Sequence, residues 1–223
     1  MSRITRFRDR TEAGQLLAKR LNKYANRKEV LVLALPRGGV PVGFEVASSL
    51  NTPLDILIVR KLGVPGQEEL AMGAIATGGV RVLNQEVISQ AGIADQVIEA
   101  VTARELKELR RRELAYPGDT TAPQISGKTI ILVDDGIATG STIRAATAAL
   151  RQQCPSKLVI AVPTAPLSSW HELRPIADEF VAVMMPAPFY AVGVWYAIFS
   201  QTSDEEVRQL FELSRHRQHK MAA

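Results

Sequence analysis

Two adjacent carboxylates at the end of an apolar run are the side chains best placed to do chemistry. In Ile130-Ile131-Leu132-Val133-Asp134-Asp135, four apolar residues lead into the acidic pair. Consecutive strand residues point to opposite faces, so the two acids cannot both lie in a core, and burying either without a partner would be costly. They are expected to emerge at the strand end, where carboxylates can accept hydrogen bonds from vicinal hydroxyls or neighbour a metal ion. The next segment, Gly136-Ile137-Ala138-Thr139-Gly140-Ser141-Thr142, offers successive backbone N–H groups, hydroxyl side chains and the positive end of a helix, a combination that cradles a phosphate. A P-loop is excluded, because the Lys of Gly-x4-Gly-Lys-Ser/Thr is absent, and Gly136 with Gly140 does not fit Gly-x-Gly-x-x-Gly.

Two basic elements precede the acids. Arg37 stands in Leu35-Pro36-Arg37-Gly38-Gly39, where glycines let the backbone approach an anion. Arg60-Lys61 closes a second apolar run. Taken singly, the first reads as a turn residue and the second as a solvated charge pair. The order strand, Arg-Gly-Gly, strand, Arg-Lys, strand, Asp-Asp, phosphate loop gives each of them a function.

The elements that must hold these residues follow from periodicity. Asp9 to Tyr24 places Ala13, Leu16, Leu17, Leu21 and Tyr24 on one helical face, with Asp9 and Glu12 as a capping box. Val30 to Leu35 is apolar at every position, the pattern of a strand covered on both faces in a parallel sheet. Pro41 opens a helix running to Leu50. Leu54 to Val59, Ile130 to Val133 and Leu158 to Val162 read as further strands, and Ser141 to Gln153 as a helix. Their alternation implies a parallel α/β sheet. Gly78-Gly79 marks a hairpin turn into Val80–Leu83, Asn84 to Leu114 turns helical, and Tyr116 to Ser126 is a loop. Ser203 and Glu206 cap a final helix expected to fray into the basic tail Arg215 to Lys220.

Asp134-Asp135 followed by Ala138-Thr139-Gly140-Ser141-Thr142 resembles the phosphoribosyl pyrophosphate (PRPP) signature of the type I phosphoribosyltransferases. The resemblance implies a central, mostly parallel sheet flanked by helices, a small hood and a flexible active-site loop. It covers residues 1–223 as one domain, with a helical insertion at about 84–115 and a hood built mainly from about 186–200. In that family the acidic pair holds the ribose hydroxyls and the loop wraps the 5′-phosphate, roles that fall on Asp134, Asp135 and Ile137, Ala138, Thr139, Gly140, Ser141 and Thr142. Leu35 to Gly39 is similar to the pyrophosphate loop, with Arg37, Gly38 and Gly39 as ligands and a cis bond between Pro36 and Arg37. Arg60 and Lys61 resemble the second basic element, which leads into a lid from Leu62 to Gly79. Arg37, Lys61 and Asp135 are the expected catalytic residues.

The resemblance further implies transfer of the phosphoribosyl group to a nitrogenous acceptor with loss of pyrophosphate, aided by Mg2+ held mainly by PRPP and water near Asp134 and Asp135. Tyr190 and Trp195, in the aromatic stretch Phe189 to Tyr196, are the candidate acceptor-binding rings. The departures are Ala138, where the hypoxanthine-guanine branch carries an acid, Ala197, where it has a metal-binding Asp, and Gly136, which replaces an apolar residue. They leave the acceptor open. The alternative is a PRPP-sensing regulator that has lost transfer and reads RNA through the basic helix Arg104 to Leu114, whose bland reading is an amphipathic helix with a solvated face.

Composition narrows the class. Of 223 residues, 46% are hydrophobic and 22% charged, the balance of a soluble globular chain. Lys plus Arg is 27 against 23 acids, a net +4 too small to imply nucleic-acid binding. The single Cys154 excludes a disulfide scaffold and suits a reducing compartment. No apolar run approaches the roughly 20 residues needed to cross a bilayer, and the charged Met1 to Arg6 is followed by no apolar stretch, so no secretory signal is expected. A cytoplasmic protein is expected, a homodimer being the family's common state. His171, His216 and His219 show no metal-ligand spacing.

Overall fold

The computed structural model describes residues 6–116 and 123–222, save the side chains of residues 69 and 219–222. The expected loop from Tyr116 to Ser126 therefore lies largely outside the described residues. Five strands, β1 (Val30–Ala34), β2 (Leu54–Ile56), β6 (Thr129–Val133), β7 (Lys157–Thr164) and β8 (Glu179–Met184), form one sheet in the order β2-β1-β6-β7-β8. Every neighbouring pair is parallel. Strands β1 and β6 are buried at all positions, as continuous apolar runs require, and alternate residues feed two cores. Val30, Val32, Ala34, Ile131 and Val133 pack against α1 (Arg10–Arg20), α2 (Gly39–Leu50) and α7 (Asp204–Ala222). Leu31, Leu33, Ile130 and Leu132 pack against Ile143, Ala146 and Leu150 of α5 (Ser141–Arg151).

The run Leu54 to Val59, expected as one strand, is two. Leu57 N–H donates to Ala34 O and ends the main-sheet ladder, and Ile58 then exchanges bonds with Thr77. From there the chain builds a second, antiparallel sheet of β3 (Val59–Val64), β4 (Gln67–Ala76) and β5 (Val80–Leu83). Both sides of the break are buried, Leu57 at 1% exposed and Ile58 at 4%, so no polar residue marks it. Gly78 and Gly79 make the β4–β5 turn with φ of 82° and 76°, values open to glycine. The segment expected as a lid is thus folded as the β3–β4 hairpin.

The helical stretch after Asn84 is α3 (Gln85–Ala91) and α4 (Asp95–Ala115), separated by Gly92 in the left-handed conformation. Leu109, Ile98 and Val101 of α4 cover Leu62, Val64 and Ile75 of the second sheet. A short helix α6 (Leu167–Leu173) and the half-buried edge strand β8 escaped the periodicity reading. Ser203 caps α7 by accepting from Glu206 N–H at 3.0 Å. Contrary to expectation α7 does not fray at Arg215, since the helix continues to Ala222 and Arg217 is held against α2 by Ser48 and the Phe44 ring. Among the described residues no helix is long and apolar enough to cross a membrane.

Strand β8 is anchored at its first residue. Glu179 accepts from Tyr24 OH at 2.6 Å and Lys157 Nζ at 3.0 Å, and pairs with Lys23 Nζ at 2.7 Å. Burial pushes its carboxyl up, but these three partners outweigh it and bring the pKa down to about 2 from the ordinary 4.5. A depressed carboxyl contributes stability in full above its unfolded value and loses it as pH falls through the folded one. Unfolding free energy should therefore drop between about pH 4.5 and 2 more steeply in the parent chain than in Glu179→Gln, measured by urea titration at each pH. Parallel curves for the two proteins would contradict this.

Candidate functional site

The acidic pair emerges where β6 ends, at the carboxyl edge of the parallel sheet, the usual ligand edge of open α/β folds. Asp135 N–H donates to Asp134 Oδ1 at 2.9 Å. The Arg37 loop lies directly on top of the pair. A Cβ on Gly38 would stand 2.0 Å from Asp135 Oδ2, and one on Gly39 would stand 2.8 Å from Val133 O and 2.9 Å from Asp134 Cα. Only a residue without a side chain allows that approach. The Pro36–Arg37 peptide is cis, as the resemblance implies. Arg37 itself is half-exposed, with Nη1 3.9 Å from Asp204 Oδ1 at the start of α7. Tyr116 OH donates to the same Asp204 oxygen at 2.7 Å.

One partner was not legible in the sequence. Arg10, at the start of α1, gives Nε and Nη2 to Asp135 Oδ2, each at 2.8 Å, and Nη1 to Ser200 O at 2.7 Å. Its guanidinium lies 4.0 Å over the Phe199 ring, and its side chain is only 12% exposed. No motif marks this residue, which lies 125 positions from Asp135. Burial raises the Asp135 carboxyl and Arg10 pulls it back. Among the described residues Asp134 has no such direct partner, and burial, reinforced by the charge of Asp135, raises it well above the ordinary carboxylate value.

The hood is built from both ends of the chain. Phe7 N–H donates to Trp195 O, Ala197 N–H to Phe7 O and Ile198 N–H to Arg8 O. Tyr196, 2% exposed, donates its hydroxyl to Asp135 O at 2.5 Å. Burial, with the Asp135 charge, raises its phenol, which keeps it a donor. Gly136 now has a reason: a Cβ there would sit 2.4 Å from Val192 Cγ1 of the hood.

The loop between β6 and α5 presents Ala138 and Thr139 to solvent. Ile137 is buried and anchors it through N–H to Thr164 O. Gly140 starts α5 at φ 73°. Thr139 Oγ1 and Ser141 Oγ share a hydrogen bond of 3.1 Å. Arg144 holds Thr139 O, and Ser169 Oγ holds Ala138 O, so carbonyls are drawn away while the first-turn N–H groups of α5 stay available for an anion.

The remaining candidates divide. Arg60 is committed to Glu105 of α4, with Nη2 at 2.6 Å and Nε at 2.9 Å. Its neighbour Lys61 projects from the opposite face of the hairpin, the face whose Val59 packs with the α5 core. In the turn of this hairpin Glu68 accepts from Gly66 N–H. Tyr190 is 80% exposed. Trp195 stacks on Phe189 with centroids 6.1 Å apart, its Nε1 buried without a partner among the described residues. The basic helix keeps Glu108 paired to Arg111 and Arg112, as a solvated face would.

A parallel sheet carrying this acid pair, glycine loop and helix-capped turn at its carboxyl edge has the type I phosphoribosyltransferase fold. The chain belongs to the phosphoribosyl transferase domain family, whose model matches residues 3–184. It is similar to the crystal structure of TT1426 from Thermus thermophilus, with TM-score 0.83 and 40% identity over 92% of this chain and 97% of that one. It is 48% identical over 201 residues to "Putative phosphoribosyl transferase Rv0571c" of Mycobacterium tuberculosis, across 90% of this chain and 45% of that protein. The chain thus spans less than half the length of that curated relative. The bifunctional protein PyrR of Brevibacillus brevis is 29% identical over 136 residues, 58% of this chain and 73% of its own.

Two outcomes follow from the geometry. A carboxylate whose pKa is raised on folding destabilises the charged native state at neutral pH, so Asp134→Asn should raise Tm in a thermal melt at neutral pH; a lower Tm would contradict the assigned burial cost. Gly39→Ala meets backbone atoms that cannot swing aside, and should cost about 1–3 kcal/mol in chemical denaturation.

Proposed function

We propose that this chain transfers the 5-phosphoribosyl group of PRPP to a nitrogenous acceptor, a nucleobase foremost, with release of pyrophosphate. The observation that supports this best is the packing of Gly38 and Gly39 onto Asp134 and Asp135, which brings an anion loop and a hydroxyl-binding pair within one substrate's length. On this reading Asp134 and Asp135 accept the ribose 2′- and 3′-hydroxyls. Arg10 engages only Oδ2 of Asp135 and leaves the carboxylate able to accept a sugar hydroxyl. Ile137 to Thr142 wrap the 5′-phosphate with backbone N–H groups and hydroxyls.

The bond from C1 to the diphosphate oxygen breaks, the acceptor nitrogen bonds to C1 with inversion, and the nitrogen's proton passes to the departing pyrophosphate. Negative charge grows on the diphosphate, where Arg37 and Lys61 stabilise it. Among the described residues no three His, Cys, Asp or Glu side chains gather to cage a metal. Two hard carboxylates beside an anion cradle nevertheless suit Mg2+, which takes most of its oxygens from phosphate and water. When bound it supplies further charge neutralisation at the diphosphate. The β3–β4 hairpin, as a unit, excludes water from the oxocarbenium-like centre.

A second reading, a PRPP-binding regulator without turnover, is favoured by the engagement of Arg60 with Glu105 and of Asp135 with Arg10. Pyrophosphate release from PRPP and Mg2+ across a panel of purines, pyrimidines and simple amines separates the two. Transfer predicts release that falls about 10²- to 10³-fold in Arg37→Ala or Lys61→Ala, the usual effect of removing one charge-stabilising donor. PRPP binding without release for any acceptor identifies the regulator. Binding that survives Asp134→Asn with Asp135→Asn would overturn both.

A further inference from the structure

A cavity of about 580 Å³ opens at the end of the main sheet opposite the acid pair. It lies between the turn before β1, the link from α2 to β2, and the C-terminal turns of α7. Helix α2 joins the two regions: it begins at Gly39 over the acid pair and ends at Leu50 beside this cavity, twelve residues or about 18 Å away.

Among the described residues the lining contains three cations, Arg27, Lys28 and Arg217, and no carboxylate. Arg27 pairs with Glu29 at 3.9 Å, and Lys28 and Arg217 have no ion-pair partner among the described residues. Arg217 is fixed by donation from Nη1 to Ser48 Oγ at 2.6 Å and by the Phe44 ring, 5.1 Å from its guanidinium carbon. The end of a helix would ordinarily repel an anion through its free carbonyls. Here Leu50 O accepts from Asn26 N–H and Ala47 O from Thr52 N–H. Asn26 and Asn51, both at positive φ, are tied by Asn51 Nδ2 donating to Asn26 Oδ1 at 2.9 Å. Thr52, 6% exposed, leaves its Oγ1 in the wall with no partner among the described residues.

We propose that this cavity is a second ligand site, distinct from the sheet-edge site, for a nucleotide-sized polyanion carrying two or more phosphate groups. Its volume falls within the range of about 300–1,000 Å³ typical of small-molecule pockets. Uncompensated cations in a concave wall focus potential onto multiple negative charges, and the side-chain amides of Asn26, Asn51 and Gln218 offer donors and acceptors for a polar ring. The inference uses none of the residues assigned to PRPP.

Isothermal titration of the full chain with ATP, with adenosine as the uncharged control, tests it. Lys28→Glu alters an exposed side chain and should leave Tm unchanged, whereas Arg217→Ala also gives up the Ser48 and Phe44 contacts and should lower Tm modestly; each should weaken ATP binding about tenfold or more, the value of one charge-assisted contact. Arg37→Ala, which alters the other site, should leave this binding within about twofold. The proposal is overturned if no heat appears at about 1 mM ATP, if adenosine binds as well as ATP, or if the loss of affinity follows Arg37→Ala alone. Tighter binding of a single-stranded RNA that is lost in Arg217→Ala would equally replace it with a nucleic-acid surface.

Discussion

Consecutive carboxylates at the end of a buried strand repel each other and lose solvation, and the rest of the site is arranged around that cost. The backbone N–H of Asp135 satisfies one oxygen of Asp134, and Arg10 pairs directly with Asp135 while reaching Asp134 only through its charge. Charge is therefore shared unevenly, and Asp134 is left the more strongly raised of the two. A pair held in this way is poorly solvated and only partly compensated. Groups of this kind trade stability for function.

Holding the pair requires three elements that are distant along the chain. The glycine loop after β1 touches it from one side, at distances only a missing Cβ permits. The hood touches it from the other, through Tyr196 on the Asp135 carbonyl and Phe199 beneath Arg10. The N-terminal residues Phe7 and Arg8 bond to the hood backbone, so the two chain ends meet over the acids. Arg10 joins these layers, because its three hydrogen bonds reach both Asp135 and Ser200. Local departures from the family pattern follow from this packing: Gly136 is small because Val192 of the hood fills its side-chain space.

Much of this architecture was legible because it is periodic or chemical in kind. The unbroken apolar runs at Val30 and Ile130 required cover on both faces, and both are fully buried. The paired glycines at 78 and 79 required a turn and made one. The break between Leu57 and Ile58 was not legible, since the chain changes sheets while staying apolar and its turn is set by a bond from Ile58 N–H to Thr77 Oγ1. Arg60 and Lys61 looked equivalent in sequence, yet strand alternation sends Arg60 to Glu105 and Lys61 to the opposite face.

The sequence by itself determined the class of fold and the acid-and-glycine core of the site, because hydrophobic period and a contiguous motif act over a few residues. Tertiary structure alone decided the partner of Asp135, the composition of the hood, the fate of Arg60 and the basic cavity beneath α2. Each of these joins residues far apart along the chain, such as Arg10 with Asp135 or Ser48 with Arg217. A long side chain's partner is set by which segments the sheet order brings together, and no local pattern of residues encodes that.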